Sequence, residues 1–302
     1  MGKHKEPIDM YFIETALAFG DYINYKGCPL IKRQDKNYIL VIPDSREKAP
    51  SKVLSETVYS GANLKVIGGK NLYTTQSMFM GCEVELLDLS SFNTSMVTTM
   101  DCMFESCKAR YLDLRSFDTS KVEYMDCMFF DCYAESIDLS TFDTSKVENM
   151  SNMFNGCQTK SLDLSSFNTS NVDDMGGMFK ACGVKELDLR SFNTSKVINM
   201  ASMFSKCKAE SIDVSTFDTS NVKRMSHMFA FSRAEYLDLT SFDTSKVQDM
   251  RNIFAFCEAK SIDLSTFDTS NVQYIGNTFE CCNSAIKATD SGILEEYKIR
   301  VR

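Results

Sequence analysis

The sequence has no tryptophan, two histidines and four prolines, and its 13 glycines never gather into a phosphate-cradling loop. These shortages remove whole classes of chemistry. His4 lies near the start of the chain, and His227 stands alone where the matching positions of other repeats hold Asn, Ser, Gly or Cys. No nucleophile–base pair can be written from them. No run approaches the ~18 consecutive apolar residues of a membrane helix. The opening residues Met1–Pro7 are charged, and Asp9 and Glu14 interrupt the nearest apolar stretch, so no secretory core follows. Glu6 stands where a myristoylation motif requires Ser or Thr. The expectation is a cytoplasmic protein that is not an enzyme, carries no cofactor and meets no membrane.

Positive charge is also scarce where it would matter. Residues 82–282 carry 18 Lys+Arg against 30 Asp+Glu, a balance of −12, and the remainder brings the total to −8. A nucleic-acid backbone is gripped by clustered Lys and Arg, so direct binding to it is not expected. An acidic array favours a partner protein with a basic surface.

What is present is repetition. Phe recurs every 25 residues at 92, 117, 142, 167, 192, 217, 242 and 267, each time followed by an invariant Thr-Ser and, two residues on, Val. Such a period belongs to a solenoid, whose coils bury their apolar face only against neighbouring coils. Residues 1–56 read as a small N-terminal α/β cap, with a helix over 9–23 and a strand over 37–42 ended by Pro43. Residues 57–81 read as a degenerate first coil, keeping Met78, Phe79 and Cys82 in register but lacking the Phe-Asp-Thr-Ser motif. Eight coils fill 82–282. Residues 283–302 form a C-terminal cap, whose Tyr-Lys-Ile-Arg-Val-Arg ending reads as a closing strand.

Within the coil that starts at 107, Tyr111–Arg115 alternates and reads as a strand with Leu112 and Leu114 inward. Asp118-Thr119-Ser120 has the look of a turn and helix cap. Val122, Met125, Met128 and Phe129 follow at helical spacing, which predicts a short helix on the outer side. The fold class expected is therefore α/β, with one parallel sheet face and short outer helices.

The consensus Leu-Asp-Leu-Ser-Ser-Phe-Asp-Thr-Ser-Lys-Val, followed by Met, Met-Phe and Cys, resembles the BspA-like leucine-rich-repeat family, found in bacterial surface proteins and mycoplasma lipoproteins. The resemblance covers 82–282. It implies a leucine-rich-repeat-like solenoid that binds through its exposed faces, without a cofactor and often in adhesion.

Three ladders invite chemistry. Asp88, Asp113, Asp138, Asp163, Asp188, Asp213, Asp238 and Asp263 would stack at ~4.8 Å and repel by about 0.9 kcal/mol per adjacent pair. Hydrogen bonds from Ser or Thr two and three residues on are the expected remedy, with Arg115 and Arg190 helping locally. The Gly-rich nonapeptide of a calcium-binding β-roll is missing. Cys82, Cys107, Cys132, Cys157, Cys182, Cys207, Cys257 and Cys282, with Ser232 in the seventh coil, read as small core residues rather than metal ligands. Cys102 and Cys127 occupy equivalent positions of adjacent coils, which leaves a disulfide or two-thiol clip open. The Met ladder from Met100 to Met250 reads as core.

Function is expected where the copies differ. On the sheet face the variable residues are Tyr111, Arg115, Glu186, Arg190 and Tyr236. On the outer side they are Tyr124, Arg224, Arg251 and Tyr274. Phe130, Phe231 and Phe256 either pack between the outer helices or form apolar spots. The reading is an intracellular protein-binding solenoid, with one version a phage or mobile-element inhibitor (anti-CRISPR-like) that occupies the groove of a host defence protein. The alternative is a surface adhesin.

Overall fold

The computed structural model describes residues 16, 23–33, 36–44 and 61–300. It is a parallel β-solenoid of about nine turns. Two ladders run along it. The first is the predicted sheet face, made from strands β4 (Asn63–Gly68), β5 (Leu86–Phe92), β6 (Tyr111–Asp113), β7 (Ser136–Asp138), β8 (Glu186–Leu187), β9 (Ser211–Ile212), β10 (Tyr236–Leu237), β11 (Ser261–Leu264) and β12 (Ala285–Ala288). Pairs such as Leu112↔Ile137 and Tyr236↔Ser261 are 25 residues apart, so the sequence period is the coil period. The second ladder is one residue wide and unbroken: Thr74, Thr99, Tyr124, Asn149, Asp174, Asn199, Arg224, Asp249 and Tyr274 each bridge in parallel to the next.

At the N-terminal end β1 (Ile23–Tyr25), β2 (Cys28–Lys32) and β3 (Asn37–Ile42) form an antiparallel meander, and β3 joins β4 in parallel. The strand expected over 37–42 is there. Most of the helix expected over 9–23 lies outside the described residues. Strands on this face pair in pieces, β4 with β5, β6 with β7, β8 with β9 and β10–β12 together, and residues 161–164 carry no strand. Thr159 replaces the Ala or Val found at that position in the neighbouring coils, and its hydroxyl donates to the carbonyls of Ser161 (3.0 Å) and Glu135 (3.3 Å). The ladder bond from the Lys160 amide to Glu135 is stretched to 3.5 Å.

The outer helices are not formed. Val122, Met125, Met128 and Phe129 are buried, but their spacing comes from turns. The amides of Met125, Cys127, Phe129 and Asp131 donate forward to the next coil, to Asn149, Ser151, Met153 and Asn155 at 2.7–3.1 Å. Those of Met128, Phe130 and Cys132 donate three residues back, at 3.0–3.3 Å. A helix would spend all of these donors on carbonyls four residues back. Two residues per coil in the left-handed region, Cys127 and Asp131 here at φ 54° and 48°, break any helix and turn the chain. The C-terminal segment is corrected too. Residues 297–300 are the end of helix α1 (Ser291–Arg300), not a strand. Asp290 caps it by accepting from the amides of Gly292 (2.8 Å) and Ile293 (3.1 Å).

The core is a set of columns. Phe79, Phe104, Phe129, Phe154, Phe179, Phe204, Phe229, Phe254 and Phe279 stack with centroids 5.5–5.9 Å apart. The corner phenylalanines, the Met ladders and the Cys ladder are buried beside them.

The corner Thr has a different task from the helix cap expected of it. Thr119 is buried, and its hydroxyl donates to the Asp143 carbonyl (3.0 Å) while accepting the Asp143 amide (2.8 Å). The same two-way staple joins Thr94 to Asp118, Thr144 to Asn168, Thr169 to Asn193, Thr194 to Asp218, Thr219 to Asp243 and Thr244 to Asp268. The last Thr meets the helix cap instead: Thr269 donates its hydroxyl and amide to the Asp290 carboxylate at 2.5 and 3.1 Å.

Candidate interaction surface

The variable sheet-face residues stand outward, as the alternation requires. Tyr111 is 49% exposed, with the Arg110 guanidinium 5.3 Å from its ring centroid. Arg110 also binds Glu135 of the next coil at 2.7 Å, and Lys160 reaches the same carboxylate from the other side at 3.6 Å. Tyr236 is 65% exposed, with Lys260 5.1 Å from its ring and bonded to Glu235 at 2.6 Å. Glu186 lies exposed on β8. Five coils separate the two tyrosines, about 24 Å.

The Asp ladder is held as expected by the residue two positions on. Ser90, Ser140, Ser215 and Thr240 each donate both amide and hydroxyl to it, and Ser165 and Ser265 donate the amide. Those bonds hold Asp163, Asp213 and Asp238 below the usual carboxylate range. Arg190 grips Asp188 through two nitrogens, at 2.9 and 2.5 Å, and holds it down to about 2. Arg115 grips Asp113 through two nitrogens, at 2.9 and 2.7 Å, and reaches Asp138 at 3.5 Å. Both arginines are therefore occupied with the ladder. The hydroxyls three residues on go elsewhere, as with Ser116 to Leu89 O and Thr141 to Arg115 O.

The outer candidates fall on the second ladder, so the predicted residues divide between two faces. Tyr124, Arg224 and Tyr274 are rungs of that ladder. Arg251 pairs with Asp249 (2.8 Å) and lies 4.9 Å from the Tyr274 ring centroid. Beside this ladder runs an open groove of about 730 Å³, lined by Glu148 and Asp173 and by Lys196, Lys223 and Lys246. Lys196 and Lys246 donate to the side-chain oxygens of Asn171 (2.6 Å) and Asn221 (2.8 Å) instead of to carboxylates.

A third feature was legible only as an alternative. Phe231 and Phe256 are exposed (43% and 38%) and lie parallel, with centroids 4.5 Å apart and ring planes 3° apart. Lys206 sits 5.3 Å from the Phe231 centroid. Both phenylalanines have φ 57°, in a column whose other members are Gly81, Ser106, Asp131, Gly156, Ala181, Lys206 and Cys281. A bulky side chain in that region costs on the order of 1–3 kcal/mol. The signal in the sequence is Phe at positions where other copies hold small or polar residues. Phe130 precedes the column by one residue and is half-buried.

Among the described residues no group of three or more His, Cys, Asp or Glu converges as metal ligands, and no helix is long and apolar enough to cross a membrane. The molecule is thus a repeat solenoid presenting exposed aromatic and charged columns on a fixed frame. The chain belongs to a family described as Mycoplasma protein of unknown function, DUF285, whose model matches residues 70–189, 133–235 and 182–291. Comparison with curated proteins and with solved structures gave no match.

Proposed function

We propose that this chain is a non-enzymatic protein-binding solenoid, acting inside the cell on a partner with a basic surface. The stacked pair Phe231–Phe256 is the observation that carries the reading. Two exposed aromatic rings are kept in left-handed backbone, where only glycine is free of strain, and neither ring fills the core. Aromatic residues with an adjacent cation are the side chains that anchor protein interfaces. Tyr236 with Lys260 and Tyr111 with Arg110 extend the same chemistry to the sheet face. The balance of −12 over 82–282 supports a basic partner. The meander β1–β3 and helix α1 serve as caps that keep the open ends of the core from water, and the resemblance to BspA-like repeats supports binding through exposed faces.

The test compares the full chain with a Phe231→Ser/Phe256→Ser double variant as bait in extracts of its native host. Serine is already tolerated in that column at Ser106 (φ 54°), so the variant keeps its fold. The expected result is a basic protein retained by the parent and at least tenfold less by the variant. Equal retention by both, or a bait that holds nothing, sinks the reading.

A further inference from the structure

Of the 12 cysteines, most belong to the buried ladder, where no reagent reaches them. Cys102 and Cys127 differ. Both are half-buried, both lie in the left-handed column that precedes the buried Met-Phe pair (φ 53° and 54°), and they occupy the same position of adjacent coils. The coils are locked in that register on each side of the thiols. The Cys102 amide donates to Asp126 O at 3.0 Å and the Phe104 amide to Met128 O at 2.9 Å. Equivalent Cα atoms of neighbouring coils sit ~4.8 Å apart, inside the 4.4–6.8 Å span that a disulfide bridges. The remaining members of the column are Ser77, Asn152, Gly177, Ser202, His227, Asn252 and Asn277, so this is its one thiol pair.

We propose that Cys102 and Cys127 form a reversible redox site, closed to a disulfide by hydrogen peroxide. The Cys127 thiolate attacks one peroxide oxygen, the O–O bond breaks, and hydroxide leaves, giving a sulfenic acid. The Cys102 thiolate then attacks that sulfur and displaces the second oxygen as hydroxide. Two thiols and one peroxide give one disulfide and two waters, and the two electrons pass from sulfur to oxygen. The order of attack follows from the neighbours. The hydrogen bond from Cys102 favours the Cys127 thiolate, whereas the same contact, burial and Glu105 disfavour ionisation of Cys102. Glu105 opposes both thiolates, and Asp126 with ionised Asp101 adds to the opposition at Cys127, which makes the reaction slower than at an isolated activated thiol.

The full folded chain is treated with hydrogen peroxide, alkylated, digested and examined by mass spectrometry. The expected product is a Cys102–Cys127 cross-linked peptide, with an intact mass lower by two hydrogens and restored by a thiol reductant. Cys102→Ser and Cys127→Ser each abolish the cross-link and leave oxygen on the surviving thiol. Both variants fold, because Ser77 and Ser202 already hold this backbone conformation (φ 54° and 60°). Oxygen added to both cysteines of the parent without a cross-link overturns the proposal. So do two thiols that stay reduced, or cross-linking confined to the exposed Cys281 between molecules.

Discussion

Replacing Thr169 by Val tests the corner staple with almost no change of shape. Thr169 is fully buried, and its hydroxyl donates to Asn193 O at 2.9 Å and accepts the Asn193 amide at 2.8 Å. Valine puts a methyl group against both. Each buried backbone group left without a partner costs ~1–3 kcal/mol, and release of the buried hydroxyl itself offsets part of the pair, leaving a net loss of about 2–3 kcal/mol. Thr169→Ser is the control, because it keeps the hydroxyl and removes one buried methyl, a loss of ~1 kcal/mol. The urea midpoint should fall in the order parent, Ser, Val, at nearly constant slope. The Asn193 amide should also exchange faster with deuterium in the Val variant. A Val variant as stable as the Ser variant, or more so, refutes the staple.

Phe154→Ala opens a hole between Phe129 and Phe179, whose centroids lie 5.5 and 5.8 Å from it, and should cost ~3–5 kcal/mol in chemical denaturation. Asp101 is raised to about 7, by burial first and then by the adjoining Asp126, and its Oδ1 is buried without a partner. The folded chain therefore holds a proton that the unfolded chain releases near pH 4, so this group's stabilisation is fully present below pH ~4 and is lost as pH rises towards 7. Asp101→Asn should flatten that slope in pH-resolved denaturation, and a slope equal to the parent's counts against a proton held on Asp101. Asp290→Ala removes the acceptor of Thr269 and of two helix amides. Deuterium exchange should rise over 291–300 and stay unchanged over 107–157.

The period, the corner phenylalanine and the inward columns were legible because a coil buries its apolar residues only at fixed positions, and each fixed position repeats in the sequence. The outer turns were misread for a physical reason. Met125, Met128 and Phe129 are spaced as on a helix, yet that spacing also arises when two left-handed residues fold the chain back every four positions. Gly156, Gly177, Asn152 and Asp131 in those two columns were the available sign, since these residue types tolerate positive φ. Thr119 was read as a local cap because capping needs only nearby residues, whereas its real partner, Asp143, is visible only once the coils are stacked. Of the candidate surface, Tyr111 and Tyr236 were readable from strand alternation. Arg115 and Arg190 proved committed to their own ladder, and the Phe231–Phe256 stack needed the stacked coils to become evident.

The threonine staple also bears on how such a chain changes length. Each joint asks only for a hydroxyl on one coil and a backbone amide and carbonyl 24 residues later, and never for a particular neighbour. Whole coils are therefore interchangeable parts, and one added or lost in phase leaves every remaining joint intact. A gain or loss between Tyr111 and Tyr236 would shift these two exposed tyrosines relative to each other in steps of ~4.8 Å. Recombination within the shared Phe-Asp/Asn-Thr-Ser segments would thus supply a graded set of spacings without redesign of the core.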